Sequence, residues 1–344
     1  MKESSMLFEW LFPLKDMKSP DIYVIGLQEI VSLNAKNIVL SSNAVQVDAW
    51  RNLIQKNLNE IDNYIILKSA DLVGIFQIIF VKESLKENFR SIEALIVRTG
   101  MLGTMGNKGS CVMRFNYLDT SIAFACCHLA AGASEVNSRI SEITEVITKA
   151  VPVKSSNLTQ ASNNSTYYSG SNYNYSGLSL NKEVRFKDHD YQFLFGDLNF
   201  RIDLDMKTVL NYIRNGDLES LAKEDQLNKK KSINFELMEL IEAPLKFEPT
   251  YKYIVGTSEY DSKKKRVPSW CDRILFRKCE NIKVIDYNKV DYTHSDHKPI
   301  FGIFKIKADK VDKNLKDAIV KEIRENIEKN SALNGSRDIE SKLI

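Results

Sequence analysis

The stretch Phe193-Leu-Phe-Gly-Asp-Leu-Asn-Phe-Arg-Ile-Asp203 decides how the rest of this chain is read. An apolar run that breaks at Gly196 and then offers Asp197 and Asn199 has the pattern of a buried strand delivering a carboxylate and an amide at its end. Residues two apart in an extended segment point the same way, so one side chain is placed to take a proton and the other to orient a water. An Asx-turn closing an ordinary strand would leave the same local signature. What separates the two is the company the motif keeps.

Upstream, Ile22-Tyr-Val-Ile-Gly-Leu-Gln-Glu29 is a continuous apolar strand that ends on a carboxylate. A carboxylate following a buried strand is costly unless it is paired or bound to a cation, which makes Glu29 a metal-ligand candidate beside the simpler reading of an exposed strand end. Residues 42–61 carry Val47, Trp50, Leu53, Ile54, Leu58 and Ile61 at helical spacing, a core-facing stripe with no chemistry in it. Strands are expected at 64–67, 72–81, 91–97, 110–115 and 120–127. Between the third and fourth lies Thr99-Gly-Met-Leu-Gly-Thr-Met-Gly-Asn-Lys-Gly109, whose glycines let backbone amides approach a phosphate and whose Lys108 adds charge. It lacks both the Walker and the Rossmann spacing. Its Met101, Leu102 and Met105 suit contact with lipid.

The strand at 120–127 runs into His128-Leu-Ala-Ala-Gly132, placing a histidine where it could donate to a phosphoryl oxygen, although a core histidine satisfied by backbone is the commoner case. A helix is expected over 135–150. Residues 154–183 turn rich in Ser, Asn, Tyr and Gly and read as a disordered insertion. Helices are expected over 206–215, 219–228 and 234–243. Asp272 and Arg273 then stand where the chain enters an apolar strand, so Asp272 needs a donor, and Ser295-Asp-His297 offers one. Past residue 308, Val311, Leu315, Ile319, Ile323 and Ile327 mark an amphipathic tail helix, with order expected to end near Asn330.

Composition narrows the class. A formal charge of +3 on 344 residues gives little support to a nucleic-acid partner. Five cysteines, without a Cys-x-x-Cys pair, read as buried thiols of an intracellular protein. No signal peptide and no apolar run of transmembrane length is present, so any membrane contact is expected to be peripheral.

Taken together, Gly26-Leu-Gln-Glu29, Gly106-Asn-Lys-Gly109, His128-Leu-Ala-Ala-Gly132, Gly196-Asp-Leu-Asn199, Pro268-Ser-Trp-Cys-Asp-Arg273 and Ser295-Asp-His297 resemble, in order, the motifs of the inositol polyphosphate 5-phosphatases. The match spans residues 8–306 apart from the insertion, and the wording after Gly26 is similar to the synaptojanin branch. The resemblance implies a two-sheet α/β sandwich of the DNase-I-like, endonuclease/exonuclease/phosphatase type, with residues 1–307 as the catalytic domain and 308–344 as a charged helical tail. It implies Mg²⁺-dependent removal of the 5-phosphate from phosphoinositide lipid at a membrane surface, phosphatidylinositol 4,5-bisphosphate leading. Soluble inositol polyphosphates are a second substrate class, and the location implied is cytoplasmic, at the cytosolic face of membranes.

Carried over residue by residue, the resemblance makes Glu29 the metal ligand, Asp197 the base and Asn199 the group that positions water. His297, oriented by Asp272, would bond the scissile phosphate, with Asp296 beside the metal and water and His128 on another phosphoryl oxygen. Substrate reading falls to Asn107, Lys108, Tyr251, Lys252, Lys264 and Arg266. An aspartate serves as base near neutral pH only where its surroundings raise its pKa. Two features depart from the family: no Trp-Asn-x-Asn-Gly strand precedes Glu29, and the loop from Tyr260 to Pro268 is one residue short. The first implies an N-terminally incomplete chain. Competing readings are a nuclease or sphingomyelinase on the same scaffold, and a phosphoinositide-binding protein without catalysis.

Overall fold

The computed structural model describes residues 2–14, 18–30, 44–99, 108–152, 183–263 and 266–340. Asn107, Lys264, Met101, Leu102, Met105 and residues 154–182 of the expected 154–183 insertion lie outside the described residues, while Glu183 begins a short strand. In chain order come α1 (Lys2–Leu11), β1 (Ile22–Leu27), α2 (Ala44–Leu58), β2 (Tyr64–Leu72), β3 (Ile75–Lys82), β4 (Phe89–Arg98), β5 (Gly109–Tyr117), β6 (Thr120–His128) and α3 (Val136–Thr148). Then follow β7 (Ala150–Pro152), β8 (Glu183–Arg185), β9 (Tyr191–Asp197), α4 (Met206–Arg214), α5 (Leu218–Lys223), α6 (Gln226–Lys231) and α7 (Phe235–Met238). The last elements are β10 (Leu240–Ile241), β11 (Asp272–Arg277), β12 (Ile282–Lys289), β13 (Ile300–Ile306) and α8 (Lys313–Glu340).

Two sheets form the body. One has the order β1-β3-β2 and the other β10-β11-β9-β6-β5-β4, with β12-β13 and β7-β8 as separate ribbons. Period-two alternation explains how they stack. On β9, Phe193 turns toward Ile79 and Val81 of β3, while Leu194 turns the other way onto Ile143 and Val146 of α3. Phe193 stacks on Phe124 of β6 at 5.2 Å between ring centres, extending the inter-sheet core sideways. The outer face of the smaller sheet is covered by Leu7 and Leu11 of α1 and Val47, Ile54 and Leu58 of α2. The result is the expected sandwich, two sheets flanked by helices.

Several expectations shift in detail. The apolar cluster at the N-terminus is a full helix, α1, whose Trp10 donates its indole N–H to Ile300 O at 2.9 Å. The helix expected over 219–228 is broken, because Asp225 leaves the helix to cap α6, accepting from Asn228 N at 3.0 Å. The helix expected over 234–243 is only one turn long, since Leu240 and Ile241 pair instead with Arg277 and Phe276 of β11. The ribbon strand β12 was not anticipated; in it Tyr287 is buried between a half-buried Asp286 and an exposed Asn288.

Residues 1–117 and 121–307 make up one compact unit, and 118–120 with 308–344 a second. In the second unit Asp309 N donates to Thr120 Oγ1 at 2.7 Å and Val311 N to Asp119 Oδ2 at 2.8 Å. Helix α8 continues to Glu340, past the expected end at Asn330, and exposes Leu315, Ile319, Ile323 and Ile327.

Candidate functional site

The ends of three neighbouring interior strands meet on one side of the larger sheet. His128, the last residue of β6, lies in register with Asp197, the last of β9, and Asp197 lies in register with Asp272, the first of β11. The alternation that sends Phe193 and Phe195 between the sheets sends Asp197 there as well, and likewise Asp272 with Phe276. Gly196 makes this convergence possible. It holds φ +123°, and a Cβ there would stand 2.3 Å from Cys127 O.

Asn199 reaches Asp197 by a different route from the one its spacing implied. It lies beyond the strand at φ +57°, in a left-handed turn. From there its N–H donates to Asp197 Oδ1 at 3.0 Å and its Nδ2 to Asp197 Oδ2 and Leu129 O, both at 3.1 Å. Its Oδ1 accepts from Arg201. Both ends of the Asn199 amide are thus engaged, one of them on the Asp197 carboxylate.

On the other side, Asp272 Oδ2 accepts from Thr250 Oγ1 at 2.6 Å and contacts His297 Nδ1 at 2.9 Å. Burial works against a charge on His297, but the Asp272 carboxylate and hydrogen bond, with Asp197 and Asp296 beyond, outweigh it and raise its pKa to about 9. The Asp272 contact therefore favours the protonated ring. Burial alone would push Asp197 up; the hydrogen bond from His128 and the charges of His297, His128 and Lys108 instead hold it well below the usual carboxylate range. The raised pKa expected of a base is thus reversed: the Asp272 carboxylate lies close by, but His128, His297 and Lys108 outweigh both it and burial.

His128 is buried, with Nε2 3.4 Å from Asp197 Oδ2, 3.9 Å from Glu29 Oε1 and in contact with Lys108 Nζ. Burial lowers the pKa of Lys108, against the pull of Asp197, Glu29 and Glu142. Glu29 follows β1 of the opposite sheet at φ +56°, with its side chain 65% exposed. Both sheets therefore contribute to the same cleft.

A divalent cation can be tested against these donors. Ligand atoms of Asp197, Asp272 and His297 all lie within 4.8 Å of one another. That trio suits a hard cation poorly, since His297 Nδ1 is committed to Asp272 and a hard cation prefers oxygen ligands. The open carboxylate of Glu29 fits better, because magnesium keeps most of its waters and takes one or two carboxylates with substrate oxygens.

The remaining expected residues separate. Tyr251 lies against His297, ring centres 4.5 Å apart, and under the Arg201 guanidinium at 4.5 Å. Lys252 is paired with Asp296 and mostly buried, so the two are committed to each other. Burial opposes charge on both, and their mutual hydrogen bond raises the lysine's pKa and lowers the aspartate's. Arg266 is exposed on the following loop. Arg201 was not singled out in the sequence, although its place two residues after Asn199 was the available signal. Arg273 is structural: it donates to Glu242 at 2.7 and 2.6 Å and to Asp225 at 2.9 Å, pinning β11 where Asp272 begins it.

The endonuclease/exonuclease/phosphatase family 2 pattern matches residues 1–303. Inositol-1,4,5-trisphosphate 5-phosphatase 1 of Schizosaccharomyces pombe is 33% identical over 93% of this chain and 27% of its own length. Synaptojanin of Caenorhabditis elegans is 31% identical over 90% of this chain and 26% of its own. The chain thus spans about a quarter of the length of these curated relatives. A crystal structure of the inositol polyphosphate 5-phosphatase domain of SPsynaptojanin, in complex with inositol (1,4)-bisphosphate and calcium ion, superposes with a TM-score of 0.74 at 32% identity. It covers 96% of this chain and 87% of that one.

Proposed function

The chain belongs to the endonuclease/exonuclease/phosphatase family 2, within it to the inositol polyphosphate 5-phosphatases, and from that membership we propose that it hydrolyses the 5-phosphate of phosphoinositides. The leading substrate is phosphatidylinositol 4,5-bisphosphate, giving phosphatidylinositol 4-phosphate. The observation that carries this reading is the pairing of His297 with Asp272 opposite a buried Asp197, the two aspartates being register partners at the ends of adjacent strands.

The 5-phosphate seats against His297, Lys108 and His128, whose donors compensate its charge. Bringing a dianion beside the cations that depress Asp197 weakens their pull and raises its pKa, so Asp197 becomes a competent base once substrate is in place. Asp197 then takes a proton from the attacking water, while Asn199 keeps the carboxylate aimed. A magnesium ion held by Glu29 would supply Lewis-acid stabilisation of the phosphoryl and leaving oxygens. Asn107, Lys264 and Arg266 read the remaining phosphates. Residues 1–307 form the catalytic part and 308–344 a tail.

We place the protein in the cytoplasm, peripheral at the cytosolic face of membranes, with soluble inositol polyphosphates as a second substrate class. No described helix is long and apolar enough to cross a membrane. Release of one phosphate per headgroup from phosphatidylinositol 4,5-bisphosphate, with the product identified as the 4-phosphate by chromatography, tests the proposal. A 5-phosphate product would refute it.

A further inference from the structure

Arg201 is buried and, among the described residues, pairs with no carboxylate. A buried cation without a salt-bridged carboxylate is costly, and although the Asp197 charge favours it, its direct contacts must return something too. Its Nε donates to Asn199 O at 3.1 Å and its NH2 to Asn199 Oδ1, a fork that holds a residue in the left-handed region. Its guanidinium plane lies 4.5 Å from the centre of the Tyr251 ring, and that ring lies 4.5 Å from the His297 imidazole. The contacts therefore run from Asp197 through Asn199, Arg201, Tyr251 and His297 to Asp272. The two carboxylates at the ends of this run are themselves register partners on β9 and β11, so the circuit closes around the reacting position.

We infer that Arg201 and Tyr251 are a positioning pair, which sets the spacing between Asp197 with Asn199 and His297 with Asp272 through the Tyr251 ring. Neither needs to bind a phosphate for this. The inference rests on the phosphatase reading of the site and adds to it a role for Arg201 and for the Tyr251 side chain that it covers. A lysine at 201 keeps the charge but has neither the fork nor the flat face. A misplacement of about 1 Å in such a site costs on the order of 10²-fold in rate.

The test uses the full chain with Mg²⁺ and dioctanoyl phosphatidylinositol 4,5-bisphosphate, comparing Arg201→Lys, Tyr251→Leu, Tyr251→Phe and the double variant Arg201→Lys/Tyr251→Leu. The expected result is kcat lower by about 10²-fold in Arg201→Lys and in Tyr251→Leu, with KM within about threefold. The double variant falls no further than the worse single one, because the two act as a unit. Tyr251→Phe recovers most of what Tyr251→Leu loses. A rise in KM with kcat kept would show phosphate binding instead, and additive losses or a Phe variant as poor as Leu would equally overturn the pair. The His297 imidazole NMR signals give a second readout independent of turnover. They shift in Arg201→Lys if the pair is real and stay in place if it is not. A parent chain without phosphatase activity would refute the proposed function, while these signals would still decide the pair.

Discussion

His297 Nδ1 lies 2.9 Å from Asp272 Oδ2, and this one contact sets the charge of the ring that faces Asp197. Burial disfavours the imidazolium, yet Asp272 outweighs burial and the pKa rises to about 9. The fold thus favours the protonated ring. Its stabilising contribution is whole below the unfolded value of about 6.5 and is lost as pH rises through about 9.

Activity should follow the same sign. The pH profile of kcat/KM is expected to fall on its basic side near pH 9. Asp272→Asn removes the carboxylate that holds the proton, so the limb moves down toward about 6.5 and the rate falls by about 10²–10⁴-fold. A limb left in place by Asp272→Asn would contradict the assignment.

Glu29 offers its carboxylate to the cleft from the end of β1, 3.9 Å from His128. Glu29→Gln should raise the Mg²⁺ concentration for half-maximal activity by at least about tenfold, a typical loss for a group that supports a metal site. A metal titration of the two proteins reads this directly, and superimposable curves would exclude Glu29 as the ligand.

Arg273 holds Asp225 and Glu242 in a fully buried cluster at the start of β11. Arg273→Leu leaves two carboxylates without their partner, and unfolding in urea should show a loss of about 3–5 kcal/mol. Arg273→Lys retains the charge without the fork and should fall between the two.

Gly196→Ala places a Cβ 2.3 Å from Cys127 O in a backbone at φ +123°. The strain alone is expected to cost about 1–3 kcal/mol, visible as a lower unfolding midpoint. Because Asp197 is the next residue, kcat should fall along with it.

Much of the sandwich was legible because it follows from alternation. The strand carrying Phe193 to Asp197, the helical stripe through Ile54 and Leu58, and the chain order of the motifs are local patterns that tertiary packing preserves. Asn199 shows where such reading stops: its direction came from a left-handed turn that no periodicity encodes. The split of the 219–228 helix arose from Asp225 serving both α6 and Arg273, a long-range demand placed on a residue that locally reads as helical. The depression of Asp197 depended on His128, His297 and Lys108 arriving from three distant segments. The commitment of Lys252 to Asp296 was hidden in the same way.

The most direct test of the account is phosphate release from phosphatidylinositol 4,5-bisphosphate in vesicles, with Mg²⁺ or with chelator, for the parent chain and for Asp197→Ala. Release that requires Mg²⁺ and disappears in Asp197→Ala is the predicted result. A folded parent chain that binds the vesicles but releases no phosphate, or an Asp197→Ala variant as active as the parent, would contradict it.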